Sequence, residues 1–225
     1  ITRLKKIVGR DYVVHKPDGL IVFEYDGSVD RSMPAAVVLP ASTSEVSQVV
    51  ATARELDVPI VARGAGTGLS GGAVPAQGSL VLSMTRMKRI LEVDPENHIA
   101  VVEPGVVNLD LSAAVAEHDL YYAPDPSSQQ ACTIGGNVAE NSGGPPCLAY
   151  GVTTNHVLGV EVLLADGSVV WLGGRTSETS GLDIRGVVIG SEGTLAVVTK
   201  VVVRLLRRPE AVKTWLAVYA SLDEA

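Results

Sequence analysis

Two short apolar runs, PIVA at residues 59–62 and SLVLSM at residues 79–84, are separated by a stretch that cannot be a helix. Its first ten residues read RGAGTGLSGG and hold five glycines. The remainder, residues 73–78, includes Pro75 and falls short of the roughly ten residues that a crossover helix needs. The chain must therefore pass from one buried strand to the next through a wrapping loop. Glycine permits φ > 0 and close backbone approach to a ligand, and successive N–H groups in such a loop suit an anion. Five glycines with Thr67 and Ser70 exceed what a structural turn requires.

Two common phosphate loops fit poorly. Gly66 and Gly71 have the Walker A spacing, but Gly72 stands where that motif needs lysine. Gly66, Gly68 and Gly71 match G-x-G-x-x-G, with Glu92 about 20 residues on, yet the helix whose N-terminus would receive the pyrophosphate is missing.

Around this loop the text divides into two lobes. Residues 1–36 show no strong period and read as an irregular lead-in. AVVLP is then a buried strand, and Ser42 with Glu45 forms a capping box opening a helix whose apolar face is Val46, Val49, Val50, Ala53 and Leu56. Strand, helix and strand make a βαβ unit, so the strands of a first lobe, residues 37–94, should be mostly parallel. From residue 90 the pattern changes. ILEVDPENHIAVV reads as a hairpin, residues 108–120 as a helix, VLGVEVLLADGSVVWLGG as a second hairpin and LAVVTKVVVRLL as a long strand. The second lobe, residues 95–208, should be antiparallel, and the fold class α+β with two lobes. Another strand is expected near Trp215, and residues 209–225 read as the start of a further domain.

A formal net charge of −7 argues against nucleic-acid binding, since Lys5-Lys6 and the arginines of residues 204–208 are the only basic clusters. Cys132 and Cys147 are too few for a disulfide framework and lack zinc spacing. No apolar signal core opens the sequence, and no run approaches the roughly 18 apolar residues of a membrane span. A cytoplasmic protein is expected, with peripheral attachment to the inner membrane through a partner left open.

A second polar, glycine-rich stretch, PDPSSQQACTIGGNVAENSGG, lies in the other lobe at residues 124–144. In an apolar protein, that density of small residues implies backbone close to a large polar ligand, with a long surface loop as the plainer alternative. RGAGTGLSGG, PDPSS, TIGGN, AENSGG, YGVTTN, ADGSVV and GSEGTLAVVT, in this order, closely resemble the PCMH-type FAD-binding domain of the vanillyl-alcohol oxidase flavoproteins. Within that superfamily they are most similar to glycolate oxidase catalytic subunits and D-lactate or D-2-hydroxyacid dehydrogenases. The resemblance covers residues 35–210.

The resemblance implies FAD bound between the lobes. Gly64, Ala65, Gly66, Thr67, Gly68, Gly72 and Ala73 would wrap its pyrophosphate. Asp125, Ser128, Cys132, Thr133, Gly136, Asn137, Asn141 and Gly143 would line the flavin, ribityl and pyrophosphate region, with Glu192 and Val197 near the adenosine. Arg63 reads as a lobe-closing cation. The phosphate loop lacks the histidine or reactive cysteine of covalent relatives, so FAD should be held non-covalently. The implied activity is oxidation of a 2-hydroxy acid such as glycolate or D-lactate by hydride transfer to the flavin. In the dehydrogenases it resembles, the catalytic base and the cation or metal that holds the carboxylate come largely from a C-terminal cap domain; His15, His98, His118 and His156 are isolated in this sequence. Partner electron-transfer subunits or an iron–sulfur protein are implied as well. An FAD-binding subunit without its own substrate oxidation is the alternative.

Overall fold

In a computed structural model, residues 1–176 and 181–225 are described. The lead-in holds more regular structure than its weak periodicity indicates. Helix α1 (Thr2–Val8) buries Leu4 and Val8 in the first lobe's core, strand β1 (Val13–Val14) joins that lobe's sheet, and α2 (Pro17–Leu20) follows. With β2 (Ala36–Val38), β3 (Ile60–Arg63) and β4 (Leu80–Ser83), the first sheet runs β1-β2-β4-β3. Strands β2 and β3 both pair in parallel with β4, as expected for three apolar runs linked by a helix and a wrapping loop. Helix α3 (Thr43–Glu55) starts where its cap predicts: Ser42 accepts from the Glu45 N–H at 3.2 Å, while the Glu45 carboxylate accepts from Ala41 N–H at 2.8 Å. Val46, Val49, Val50 and Ala53 are buried, whereas Leu56 lies past the last turn and is exposed.

The second sheet is antiparallel throughout, in the order β5 (Ile90–Asp94), β6 (Ile99–Val102), β10 (Val197–Arg204), β8 (Val157–Leu163), β9 (Val169–Gly173). Strand β5 pairs with β6, so the change of sheet falls before residue 90, and a first lobe reaching 94 is too long by that strand. A small ribbon pairs β7 (Leu120–Tyr121) with β11 (Leu206–Arg207). Helix α4 (Asn108–Ala114) stops short of the expected residue 120, and a 3-10 turn at Ala116–His118 finishes the segment with Asp119 left-handed. Helices α5 (Ile134–Glu140), α6 (Cys147–Tyr150) and α7 (Ile184–Val188) complete the lobe. No strand forms around Trp215; Trp215, Leu216 and Val218 are exposed, without a strand partner among the described residues.

Strand β8 joins the lobes. All seven of its residues are buried, because both faces of the sheet are covered there. Side chains alternate across a strand. Val160 and Val162 enter the second lobe's core with Ile134 and Val138 of α5, and Leu163 enters the first lobe's core with Val46 and Val49 of α3. Glu161 shares the Leu163 face and accepts hydrogen bonds from Thr43 at 2.9 Å, Thr199 at 2.9 Å and Lys200 at 2.8 Å. One carboxylate thus ties α3 of the first lobe to β8 and β10 of the second.

Candidate functional site

The wrapping loop after β3 is shaped by its own glycines and by Arg63. Gly66 has φ +72°, a backbone conformation that side chains rarely adopt. A Cβ there would also strike the Arg63 guanidinium. Arg63 is buried and donates to Tyr25 O at 2.8 Å and Ala73 O at 3.1 Å, with its guanidinium 5.6 Å from the Phe23 ring centre. It therefore pins the far end of the loop to the lead-in from beneath. Burial pulls its pKa down, with neighbouring Asp26 opposing. Asp26 is buried too: burial pushes its carboxyl up, but hydrogen bonds from Ser28 and Ala73 and the charge of Arg63 outweigh this and hold it below the usual carboxylate range.

The second jaw is α5. Thr133 caps it, accepting from Gly136 N–H at 3.2 Å. A Cβ on Gly64 would meet the Thr133 hydroxyl, so this glycine is what lets the two jaws touch. One face of α5 then looks back at the loop: Gly136, Asn137 and Glu140 sit at i, i+1 and i+4. Asn137 is 1% exposed, and its Nδ2 finds no hydrogen-bond partner. A buried amide N–H2 left unpaired costs roughly 1–3 kcal/mol, and such a group marks a missing partner.

Between the jaws lies a cleft of about 390 Å³. Gly64, Ala65, Gly66, Thr67, Gly68, Gly72, Ala73, Ser128, Cys132, Thr133, Gly136, Asn137, Gly143 and Glu192 line it. Val197 lines a smaller apolar pocket that shares Gly64, Thr133, Gly136 and Glu192 with the cleft and adds Pro104 and Ala196. Two of the expected residues do not line either. Asn141 is left-handed at the end of α5, and its Oδ1 accepts from Thr154 N–H at 2.9 Å, so its side chain fixes the following turn. Asp125 packs against Gly144, with Oδ1 buried and unpartnered; burial pushes its carboxyl up. Glu92 is likewise unavailable to a ribose, since Arg175 holds it at 2.6 and 2.9 Å.

Further residues of the same two glycine-rich stretches, not singled out as cofactor contacts, also line the cleft: Leu69, Ser70, Pro126, Ser127, Glu140 and Ser142. Glu140 lies four residues after Gly136, on the same face of α5. Glu192 reaches the cleft because its turn is left-handed three times, at Gly190 (φ +85°), Glu192 (φ +54°) and Gly193 (φ +74°). Glu140 and Glu192 are the only charged side chains lining the cleft among the described residues. Burial pushes the Cys132 thiol up, which keeps it protonated and a poor nucleophile.

No histidine lines the cleft among the described residues. His156 is fully buried, with Nε2 at 2.9 Å from Tyr150 O, Nδ1 unpartnered and its ring edge-on to Tyr122. Burial lowers its pKa, so the folded protein resists protonation where the unfolded chain, near 6.5, accepts it. This stability is complete above about pH 6.5 and is lost as pH falls below it. Tm should drop between pH 7.5 and 5.5, and thermal scans of His156→Phe should show a shallower pH slope over that range.

A half-enclosed cleft between a lobe with a mixed, largely parallel sheet and an antiparallel lobe, lined by two glycine-rich jaws, has the form of a dinucleotide-holding site of the flavoprotein class. The comparisons with known proteins agree. The family described as "FAD binding domain" matches residues 34–173, and the chain belongs to it. Its cofactor is FAD. The chain is 47% identical over 214 residues to the glycolate oxidase subunit GlcD of Escherichia coli (strain K12), covering 95% of this chain and 43% of that protein. It is 40% identical over 190 residues to the D-lactate dehydrogenase of Archaeoglobus fulgidus, covering 84% and 42%. In fold it is similar to an alkyldihydroxyacetonephosphate synthase, with TM-score 0.83, 24% identity, and 93% and 40% of the two chains covered. The chain thus spans less than half the length of the curated relatives it matches. No helix among the described residues is long and apolar enough to cross a membrane.

The residues present fit FAD. The orphaned Asn137 amide, the bare backbone at Gly64, Gly66, Gly68 and Gly72 and the adjoining apolar side pocket supply a donor, a surface for close approach and an apolar wall.

Proposed function

We propose that this chain is the FAD-holding part of an oxidoreductase acting on a 2-hydroxy acid such as glycolate or D-lactate, with FAD bound non-covalently. The observation that carries the reading is the cleft in which both glycine jaws meet, with an unpaired buried donor in its wall. Residues 64–68, 72 and 73 would present backbone to the diphosphate, and Thr133, Gly136, Ser128, Cys132 and Gly143 would form the opposite wall. Asn137 Nδ2 would donate to an acceptor oxygen of the cofactor. Val197 and Pro104 would flank the adenine, and Glu192 would stand beside the adenosine. Asp125 and Asn141 would act one layer back, by backing Gly144 and holding the turn after α5. The flavin, when bound, supplies the two-electron acceptor. The chain's own residues position it, and a protonated Cys132 leaves it unattached.

The names of the relatives support the substrate class. The base and the carboxylate-binding cation are assigned to parts of the relatives that this chain does not span, a cap domain for which residues 209–225 would be the start. By the same reading the protein works beside partner electron-transfer or iron–sulfur subunits, in the cytoplasm or peripherally at the inner membrane. The alternative reading is an FAD-binding subunit that oxidises no substrate itself.

Purified protein should retain a flavin spectrum through gel filtration, released by acid without a covalent adduct. The full-length protein should bleach anaerobically with glycolate, D-lactate or D-2-hydroxyglutarate. Colourless protein that ignores added FAD sinks both readings, and bound flavin that no hydroxy acid bleaches selects the second.

A further inference from the structure

The cleft poses an electrostatic problem. It is assigned a diphosphate, yet among the described residues it is lined by no cation and by two carboxylates. Both converge on the same glycine. A Cβ on Gly72 would stand 2.5 Å from Glu192 Oε2 and 3.1 Å from Glu140 Oε1. Glu140 also lies 3.3 Å from the corresponding point on Gly68, and its Oε2 accepts from the Ser70 hydroxyl at 2.6 Å. Thus the side chain that ends α5 covers the bare backbone that a ligand would need and is hydrogen-bonded to the loop that would wrap it.

We propose that Glu140 is an internal stand-in anion: in the FAD-free chain its carboxylate closes the glycine loop onto α5, and the cofactor's diphosphate must displace it to bind. This rests on the assignment of FAD to the cleft. The competing role, an acceptor for the sugar hydroxyls, predicts the opposite sign when the charge is removed. Geometry favours displacement. One oxygen of Glu140 is already committed to Ser70, and the other lies against the loop glycines. Glu192 is exposed and well screened, but the Glu140 carboxylate, half-buried against the loop, stands where the diphosphate would lie and repels it at short range.

The test is a fluorescence titration of FAD into the FAD-free chain, at low salt and at roughly 0.3 M salt, where screening shortens to about 5–6 Å. Glu140→Gln keeps the shape and removes the charge; it should bind FAD about tenfold more tightly. It should also lose part of the tightening that salt produces in wild type. Ser70→Ala removes the tether but keeps the charge, and should tighten binding about threefold while raising amide exchange in residues 66–72 of the FAD-free chain. Unchanged or weaker affinity in Glu140→Gln overturns the proposal. Should that variant not fold, unchanged or weaker affinity in Ser70→Ala overturns it instead. Gly66→Val separates the two levels. If it binds FAD as wild type does, the cleft assignment itself fails and the proposal with it. If it loses FAD while neither other variant tightens, the assignment stands and only the stand-in role falls.

Discussion

Gly66→Val yields a colourless protein whose affinity for FAD is at least about a hundredfold below wild type, while the fold survives with Tm lowered by several degrees. Two independent costs meet at this residue. A left-handed backbone costs a non-glycine residue roughly 1–3 kcal/mol, towards the upper end when it is β-branched. The new side chain also collides with the Arg63 guanidinium. That group is buried and donates to Tyr25 O and Ala73 O, so moving it frees both the lead-in and the far end of the loop. A loop that relaxes to avoid either cost no longer presents the same backbone surface, and a hundredfold loss corresponds to only about 2.7 kcal/mol. Gly78 is the internal control: its φ is +77°, but a Cβ there meets nothing within 4 Å. Gly78→Ala pays the strain without the collision and should bind FAD within about threefold of wild type. The readings are flavin fluorescence titration and a thermal scan. If Gly66→Val binds FAD within threefold of wild type, the loop is not the cofactor's cradle.

The same loop shows what could be read from sequence. Counting residues between Gly72 and Ser79 removed the crossover helix, and the structure has none there. Short apolar runs mark β2, β4 and β8, because burial on both faces leaves a continuous apolar signature, and β3 reads the same way although Ile60, Val61 and Ala62 are only half-buried. Cap chemistry marks α3, because the bond from Glu45 N–H to Ser42 is local; α5, whose Thr133 cap is just as local, sits in a stretch that reads only as glycine-rich polar chain. Where a segment's order is set by distant contacts, the signal faded. Helix α1 is held by Leu4 and Val8 against α3, and β1 by β2, neither of which a periodicity in residues 1–36 reveals. The lining of the cleft was legible in outline, through its two glycine-rich stretches, and illegible in its charges. Nothing local assigns Arg63 to Tyr25 O, Glu92 to Arg175 or Glu140 to Ser70, since each pair is closed by the fold. The helix expected at residues 108–120 failed for a related reason: Leu109 faces solvent, and the chain must turn left-handed at Asp119 to feed β7.

Glu161→Ala should lower Tm by roughly 5–15 °C. Glu161 is 6% exposed and takes three hydrogen bonds, from α3 across the lobe boundary and from β10 beside it. Breaking a buried ion pair costs about 3–5 kcal/mol, less here because Lys200 keeps a third of its side chain exposed and can turn to water. About 2–4 kcal/mol remains, and each kcal/mol moves Tm by roughly 2–4 °C in a domain of this size. Burial pushes the Glu161 carboxyl up, but the bonds from Lys200, Thr199 and Thr43 outweigh it and hold the pKa below its ordinary value. A carboxyl depressed in the folded state stabilises fully above its unfolded value, near 4.5, and progressively less as pH falls below it. The Tm gap between wild type and Glu161→Ala should therefore be widest near neutrality and close in acid, whereas a purely steric defect would leave it constant. Saturating FAD gives the second readout. A ligand that binds only the folded form, across both lobes, raises Tm by mass action. Glu161→Gln retains the acceptor for Thr43 and Thr199 but not the charge for Lys200, so it should fall between the two. If FAD raises the Tm of Glu161→Ala as much as that of wild type, the carboxylate holds the lobes together without holding the cleft in shape. A smaller rise shows that the tie at β8 also sets the distance between the two glycine jaws.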